Sequence, residues 1–569
     1  LKTALVLAAA IGYAIWNLVA RLGPEPEFDA KHTYLPFARK LLEDAGAFLA
    51  SEQSLWVAPF SYVYPALFGA DAMRIKVANI VLFVLLILIV FRIGVLLHSR
   101  RAGLAAAVLL AASPAIKIFI PTALTEPPFI FLTGVWIWAL CEAHERRRMA
   151  LWVVAGLALG LALLLRPTYL YFAPVVLAAG FVAWWSRRVP EPEAARGIAI
   201  AHALALFIAF LVIARNAILF GFPSISTGVG AGLFLGSNPM TDGYDAGYLG
   251  LLLDDGAATG GKPHLSIESD RLLRGIATLA LADMPFADLA GMYFRKLCAF
   301  LFVTQAETQG WPEVLRAWRI ALLVLAAYGW WHIRIPAMRW LLGAAFAYQV
   351  LVHVPALYTF RYSVSAIELL LTIMAAVGVA HALPRFGRLA ALGLLGAAGI
   401  GVGVAFARYG EPPSPHVERA PYTQFWKAKL EPPVTATREQ PAMIEVRDAP
   451  GLHPWDNSIL DLLVSAKGDG SARCRGFTVR YKRDGEAEFK GAVYRRVDTD
   501  GEAQRHSIGS RLPLELYAVG TLRIEADCDP GAALRIHGAR IATGRFATFY
   551  RDRYLGQPRL PGIIDPLRP

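Results

Sequence analysis

The chain has 569 residues, 56% of them hydrophobic and 18% charged, with a mean hydropathy of +0.45. That balance excludes an ordinary soluble domain and predicts a polytopic α-helical membrane protein. The formal net charge of +12 would suit nucleic acid, but much of it falls in short turns between apolar runs. There it reads first as topology and second as attraction to membrane lipids of negative charge, and no nucleic-acid partner is expected.

A span needs about 20 apolar residues. Taken in chain order, about eleven candidates occur, at 3–20, 75–97, 102–120, 127–142, 150–165, 168–185, 198–214, 317–333, 339–357, 363–381 and 389–407. The first run is read as a retained span, since no small-residue cleavage site follows it. Basic turns fall at Arg100-Arg101, Arg146-Arg147-Arg148, Arg187-Arg188 with Arg196, Arg334 with Arg339, and Arg385 with Arg388. They occupy every second connection, so the positive-inside rule assigns all of them to the cytoplasm. The loops 21–74 and 216–295 and everything after 408 then face outward, in agreement with an odd number of spans and an inner N-terminus. The outer loops are long, and long connections tend to be functional. The end of the second, Phe286 to Lys296, has the pattern of an interfacial amphipathic helix. Asp242, Tyr244, Asp245 and Tyr248 in the same loop are candidates to meet an acceptor, and the loop is expected to cover the site.

Past Arg408 the composition changes. Pro412, Pro413 and Pro415 mark a linker, and the chain is expected to divide into a transmembrane domain, 1–408, and a β-rich extracytoplasmic domain, 409–569. Alternating runs such as Phe477–Tyr481 and Leu522–Ala526, with Asp484-Gly485 as a hairpin signal, predict a β-sandwich-like fold over 440–550. Cys474 and Cys528 lie there, and their pairing is left open; Cys141 and Cys298 lie in or beside spans and read as packing residues. For this domain, carbohydrate or acceptor binding stands against a plain packing role. The glycine run Gly228-Val229-Gly230-Ala231-Gly232 lacks the Lys-Ser/Thr of a phosphate loop and is not read as a nucleotide site.

The polar residues at the outer span ends are the informative ones. Asp29, His32 and Tyr34 follow the first run, and Arg74 and Lys76 open the second. Lys117 and Glu126 flank the next outer turn, Arg166-Pro167 and Arg215-Asn216 end spans, and Arg361-Tyr362 opens one. Cations here work against the positive-inside rule, so a bound anion is the simplest reason for them. Arg offers phosphate a bidentate fork and Lys a point charge; the bland alternative is a snorkelling interfacial side chain. Arg361, Tyr362, Arg166, Arg215, Lys76 and Arg74 are therefore candidate phosphate ligands. Glu126, His32 and Tyr34 are candidate acceptor-binding or supporting residues, and a lone His is a poor metal signature.

Several stretches carry a family resemblance: Asp29 with Tyr34 and Ala38-Arg39-Lys40-Leu41-Leu42; Thr125-Glu126-Pro127-Pro128-Phe129; Arg166-Pro167; Arg215-Asn216 with Phe220-Gly221 and Ser226-Thr227; Gly236-Ser237-Asn238-Pro239; and Arg361-Tyr362. In order and sidedness they resemble the GT-C superfamily, in particular polyprenyl-phosphate-dependent glycosyltransferases such as protein mannosyltransferases and lipid A aminoarabinose transferases. The resemblance covers roughly residues 1–405 and leaves the C-terminal domain unmatched. Many relatives carry an acidic pair in the first loop, whereas Asp29 is followed by Ala30, so a divalent metal ion stays an open question. The resemblance implies a polyprenyl-phosphate-linked sugar as donor and a hydroxyl on a glycolipid, glycan or protein as acceptor. Asp29 would act as general base, with inversion at the anomeric carbon and cations stabilising the departing phosphate. A ligase or polymerase using lipid-linked oligosaccharides, and a lipid-saccharide transporter, are the competing classes. The expected location is a bacterial inner membrane, with the site and C-terminal domain facing the periplasm.

Overall fold

The computed structural model describes residues 2–187, 191–238, 241–244, 259, 262–302, 312–383, 424–447, 457–467, 472–497, 502–509 and 519–544, with isolated positions 393, 396, 399 and 403. The chain divides into two compact units. One comprises Leu1–Gly228, Leu265–Ile267 and Tyr293–Glu411, the other Val229–His264, Glu268–Met292 and Pro412–Pro569.

The first unit is helical. Helices Lys2–Val19, Ala72–Leu97, Arg100–Ala112, Glu126–Arg146, Met149–Leu165, Phe172–Ser186, Pro192–Phe220, Pro312–Trp331 and Pro336–His353, with the helical stretch Phe360–Ala382, overlie the first ten expected spans. Among the described residues, 5 are long and apolar enough to cross a membrane, and Met149–Leu165 and Phe172–Ser186 are shorter apolar helices. The eleventh expected span, Arg385 with Arg388, Arg188, the proline linker and the 408/409 boundary lie outside the described residues or on isolated positions among them. One expected span is broken. The run 102–120 ends as a helix at Ala112 and resumes only for Ile116–Phe119. Pro114 is the cause: it disfavours helical geometry in the residue before it, and Ser113 sits at φ −53, ψ 113.

The break frees Ser113 to reach a buried ion pair. Arg319 Nε lies 2.7 Å from Glu368 Oε2, with both side chains fully buried. Ser113 Oγ and Trp318 Nε1 donate to Glu368 Oε1 at 3.1 and 2.9 Å. The two helices that carry the pair pack backbone to backbone through Gly329 and Gly378; a Cβ on Gly329 would stand 1.9 Å from the Met374 carbonyl oxygen. Small residues at such crossings are what allow helices to approach closely.

The first long connection is structured rather than a loose polar loop. A π-helical turn, Ala30–Tyr34, leads into helix Leu35–Glu43, which buries Leu35, Phe37 and Ala38. Phe37, Phe48 and Tyr62 form a small core of their own. Asp44 caps the next helix, Ala45–Ala50, by accepting from the Ala47 N–H at 2.9 Å.

The second unit holds helix Val229–Gly236, most of helix Ile267–Asp283 and the C-terminal strands. The glycine run packs tightly here: a Cβ on Gly230 would lie 2.0 Å from the Asp270 carbonyl oxygen, and the Gly230 N–H donates to Asp270 Oδ1 at 2.7 Å. The stretch expected to be an interfacial helix is helical over Phe286–Phe302. Asp245 and Tyr248 lie outside the described residues.

Eight strands follow: β1 Gln424–Ala436, β2 Ala442–Glu445, β3 Asn457–Lys467, β4 Cys474–Lys482, β5 Lys490–Arg496, β6 Gln504–Gly509, β7 Thr521–Cys528 and β8 Ala533–Gly544. They form two four-stranded sheets, ordered β1-β8-β3-β6 and β2-β7-β4-β5. Every described ladder is antiparallel. Leu460, Leu462, Val464, Leu534 and Ile536 of the first sheet share one core with Phe477, Val479, Leu522 and Ile524 of the second, so the expected sandwich is present. Gly485, at φ +83, turns the β4–β5 hairpin where Asp-Gly predicts it. Cys474 and Cys528, opposite each other on β4 and β7, form a disulfide. Cys141 and Cys298 are buried free thiols.

Candidate active site

Four charged side chains meet at one end of the helical unit. Asp29 immediately precedes the π-helical turn, and its Oδ2 lies 2.5 Å from Arg361 Nη2. Arg361 stands in the single turn Phe360–Ser363, just before a second π-helical segment, Val364–Glu368. A π-turn adds a residue to the helical repeat and re-aims the side chains beside it, and such turns gather at functional sites. Glu126 opens helix Glu126–Arg146, with Pro127 and Pro128 behind it; its carboxylate sits at the positive end of that helix. Arg166 ends helix Met149–Leu165, where Pro167 turns the chain out of helical geometry. Arg166 Nη1 lies 2.5 Å from Glu126 Oε1, and Arg361 Nε is 3.7 Å from the same oxygen.

The two carboxylates differ. Glu126 is 2% exposed and holds both guanidinia, while Asp29 is 31% exposed. Among the described contacts, Asp29 Oδ1 accepts no hydrogen bond. Tyr362 lies against both cations, with the Arg166 and Arg361 guanidinium carbons 4.8 and 5.3 Å from its ring centre. Tyr34 adjoins the same group. Burial, then the negative charges of Asp29 and Glu126, push its phenol well above the ordinary range, against the pull of Arg361 and Arg166. The cluster thus brings together Asp29, Tyr34, Glu126, Arg166, Arg361 and Tyr362, six residues that the sequence marks as candidates.

The other candidates sit differently. Lys76 is buried, and its ammonium meets the carbonyls of Gly23 at 2.9 Å and Glu25 at 2.6 Å and the carboxylate of Glu27 at 3.3 Å. An ammonium has three protons, and these three partners can take them all. Arg215 donates to Asn216 at 2.6 Å, to Ser54 Oγ at 2.9 Å and to the Leu49 carbonyl, which ties it to the first long connection. Arg74 is exposed; its backbone N–H takes the Asp71 cap at 2.8 Å. His32 is exposed, its ring 4.6 Å from that of Phe28. Lys117 donates to the Tyr13 hydroxyl at 3.1 Å.

Sequence reasoning misses Glu27. Its Oε2 accepts from the Ala123 N–H at 2.8 Å while its Oε1 holds Lys76, so it pins the segment bearing Asp29 to the turn bearing Glu126. The signal was a second carboxylate two residues before Asp29. Asn79 has a similar role, accepting from the Tyr64 hydroxyl at 2.6 Å and donating to the Thr122 carbonyl at 2.7 Å. Among the described residues, no group of three His, Cys, Asp or Glu side chains could hold a metal ion. Asp29 and Glu126 both face guanidinium groups, an arrangement that does not fit a divalent ion.

Apolar helices, a polar cluster at one end of them and a C-terminal sandwich define a multi-pass membrane protein with a candidate active site at the helix ends. Residues 55–214 match the model of the family described as dolichyl-phosphate-mannose-protein mannosyltransferase. That segment holds Lys76, Glu126 and Arg166 and bears out the resemblance to GT-C glycosyltransferases. No curated protein sequence matches the chain. The oligosaccharyltransferase of Archaeoglobus fulgidus in its apo form is similar at TM-score 0.39 and 14% identity, over 73% of this chain and 56% of that one. The oligosaccharyltransferase AglB of Archaeoglobus fulgidus with an inhibitory peptide and a dolichol-phosphate gives 0.38 and 15%, over 74% and 58%. Arabinosyltransferase EmbB of Mycobacterium smegmatis gives 0.28 and 14%, over 98% and 66%. The chain thus spans little more than half the length of the archaeal enzyme, and likeness at these scores carries no argument for fold or chemistry.

Proposed function

We propose that the chain is an inverting integral-membrane glycosyltransferase that moves a sugar from a polyprenyl-phosphate donor to an extracytoplasmic hydroxyl. The observation that carries this reading is the Asp29–Arg361 pair, a partly exposed carboxylate beside a guanidinium that can also take a phosphate. At rest the two carboxylates and two guanidinia of the cluster cancel. An arriving lipid phosphate competes with Asp29 for Arg361 and joins Arg166, both of which Glu126 keeps oriented. Asp29, released from its cation, has its carboxylate free to meet the acceptor. The acceptor hydroxyl gives its proton to Asp29 as its oxygen attacks the anomeric carbon. The bond from that carbon to the phosphate oxygen breaks, and the lipid monophosphate leaves against the guanidinia. Glu126 is the less accessible candidate, because it is closed off from an acceptor and already holds both cations. Lys76 and Arg215 position the first outer connection. The membrane is a bacterial inner membrane, with this end of the helices and the domain after 408 facing the periplasm.

A lipid-saccharide transporter is favoured by one observation, the charged pair Arg319–Glu368 within apolar helices. Both side chains are fully buried, which suits a structural clasp better than a substrate path. A ligase for lipid-linked oligosaccharides differs mainly in the size of the donor's glycan. Donor binding tests the phosphate role. Arg361→Gln is expected to weaken binding of a polyprenyl monophosphate by about 10- to 100-fold, the worth of a hydrogen bond to a charged group. Equal affinity in wild type and variant, measured by titration in detergent, would remove Arg361 from the phosphate site.

A further inference from the structure

The C-terminal sandwich carries a second polar site. Along β3, Leu460, Leu462 and Val464 enter the core, and Asp461, Leu463 and Ser465 take the opposite face of the sheet. That face is hollowed by irregular pairing. Gly538 of β8 pairs with Leu463 and Ile536 with Val464, which leaves His537 as an extra residue with no partner on β3. The bulge reverses the alternation: Leu534 and Ile536 are buried before it, Ala539 and Ile541 after it. His537 and Arg540 consequently share the outer face, and Gly538 adds no side chain between them. At the same level β1 departs from β8 between Lys429 and Val434. The result is a hollow of about 630 Å³, lined in part by Lys427, Glu431, Asp461, Arg505, His537 and Arg540. Its size is that of a small-ligand site, typically about 300–1,000 Å³.

The hollow is built rather than incidental. Asp461 is 5% exposed and accepts from Arg540 Nε at 2.9 Å, Arg540 Nη2 at 2.6 Å and Arg505 Nη2, so one buried carboxylate fixes two guanidinium forks. Ser465 Oγ and His537 Nε2 are 2.8 Å apart. Three cations, Lys427, Arg505 and Arg540, face two carboxylates, Asp461 and Glu431, so the lining carries an excess of positive charge. None of the lining residues is Phe, Tyr or Trp, so the hollow offers no aromatic platform on which a neutral sugar ring could stack. Charge-assisted hydrogen bonding is its strength. We propose that this hollow binds a saccharide bearing an anionic substituent, a carboxylate or a phosphate. The anion-binding part is independent of the transfer chemistry; that the anion is carried on a saccharide rests on the proposed glycosyl transfer.

The test uses the purified full chain in detergent and three labelled probes: a hexameric galacturonate, a phosphorylated mannose oligomer and neutral maltohexaose. Binding of at least one anionic probe is expected, with maltohexaose at least tenfold weaker; which anionic probe binds tells carboxylate from phosphate. Arg505→Gln and Lys427→Gln are each expected to weaken that binding about tenfold, the lower end of the effect of a charge-assisted hydrogen bond. Arg475→Gln, on the other sheet, is expected to leave it unchanged. Arg505 is half exposed, and Asp461 keeps Arg540 when Arg505 is lost, so that variant retains the fold, which circular dichroism checks. Equal affinity for neutral and anionic probes, equal loss in all three variants, or no binding of either anionic probe at millimolar concentration would each overturn the proposal.

Discussion

Asp29→Asn is expected to lower the rate of sugar transfer by roughly 10²–10⁴-fold, the usual worth of a general base, while donor binding is kept or tightened. The two effects separate because Asp29 has two partners in turn. In the resting site it neutralises Arg361 at 2.5 Å; in the proposed mechanism it then takes the acceptor proton. Asparagine nearly keeps the volume but removes the charge and the base together. Arg361 then loses a competitor for the lipid phosphate, so donor affinity does not fall. Single-turnover transfer and donor titration on the same preparation read the two effects apart. Transfer near the wild-type rate would move the base elsewhere, with Glu126 the next candidate. A parallel loss of donor affinity would mean that Asp29 holds the site together rather than acting on the acceptor.

Glu368→Ala is expected to destabilise the helical unit by about 3–5 kcal/mol, the cost of leaving a buried charge without its partner. Arg319 would keep a hydrogen bond to the Phe300 carbonyl at 3.3 Å but would lose its carboxylate, and Ser113 and Trp318 would lose their acceptor. The double substitution Arg319→Met with Glu368→Met is expected to recover most of the loss, because an apolar replacement of a whole buried pair is often neutral or better. Denaturant unfolding in mixed micelles measures both. A single variant as stable as wild type would show that the pair is not a clasp. Glu368 also closes the π-helical segment that follows Arg361, so Glu368→Ala is expected to slow transfer even where the protein stays folded.

Much of the site is legible in the sequence because its residues stand where composition disfavours them. Arg166 and Arg361 are cations at the span ends away from the basic turns, and Asp29, Glu126, Tyr34 and Tyr362 lie beside such ends. The pairing is not legible, because nothing local links Asp29 to Arg361 rather than to Lys31. Lys76 reads as an anion ligand, since the carbonyls of Gly23 and Glu25 that take its protons leave no mark on residue types. Arg319 and Glu368 sit inside apolar runs, and a charge there needs a partner; two opposite charges in two spans are a signal that span-counting passes over. Pro114 likewise marks a helix break that hydropathy averages away. In the sandwich, Asp484-Gly485 fixes one hairpin in advance. The fold begins earlier than the expected 440, with β1 at Gln424–Ala436, where Pro432 and Pro433 interrupt the strand pattern.

The most direct measurement is sugar transfer from radiolabelled polyprenyl-monophosphate donors by the purified wild-type protein, with membrane extracts as acceptor. Label moving into an acceptor, with one polyprenyl monophosphate released per sugar and inverted configuration at the anomeric carbon, is the predicted result. Label that stays on the lipid for every monophosphate donor, in protein that binds the donor and remains folded, would contradict the assignment and favour a transporter or a ligase for longer lipid-linked glycans.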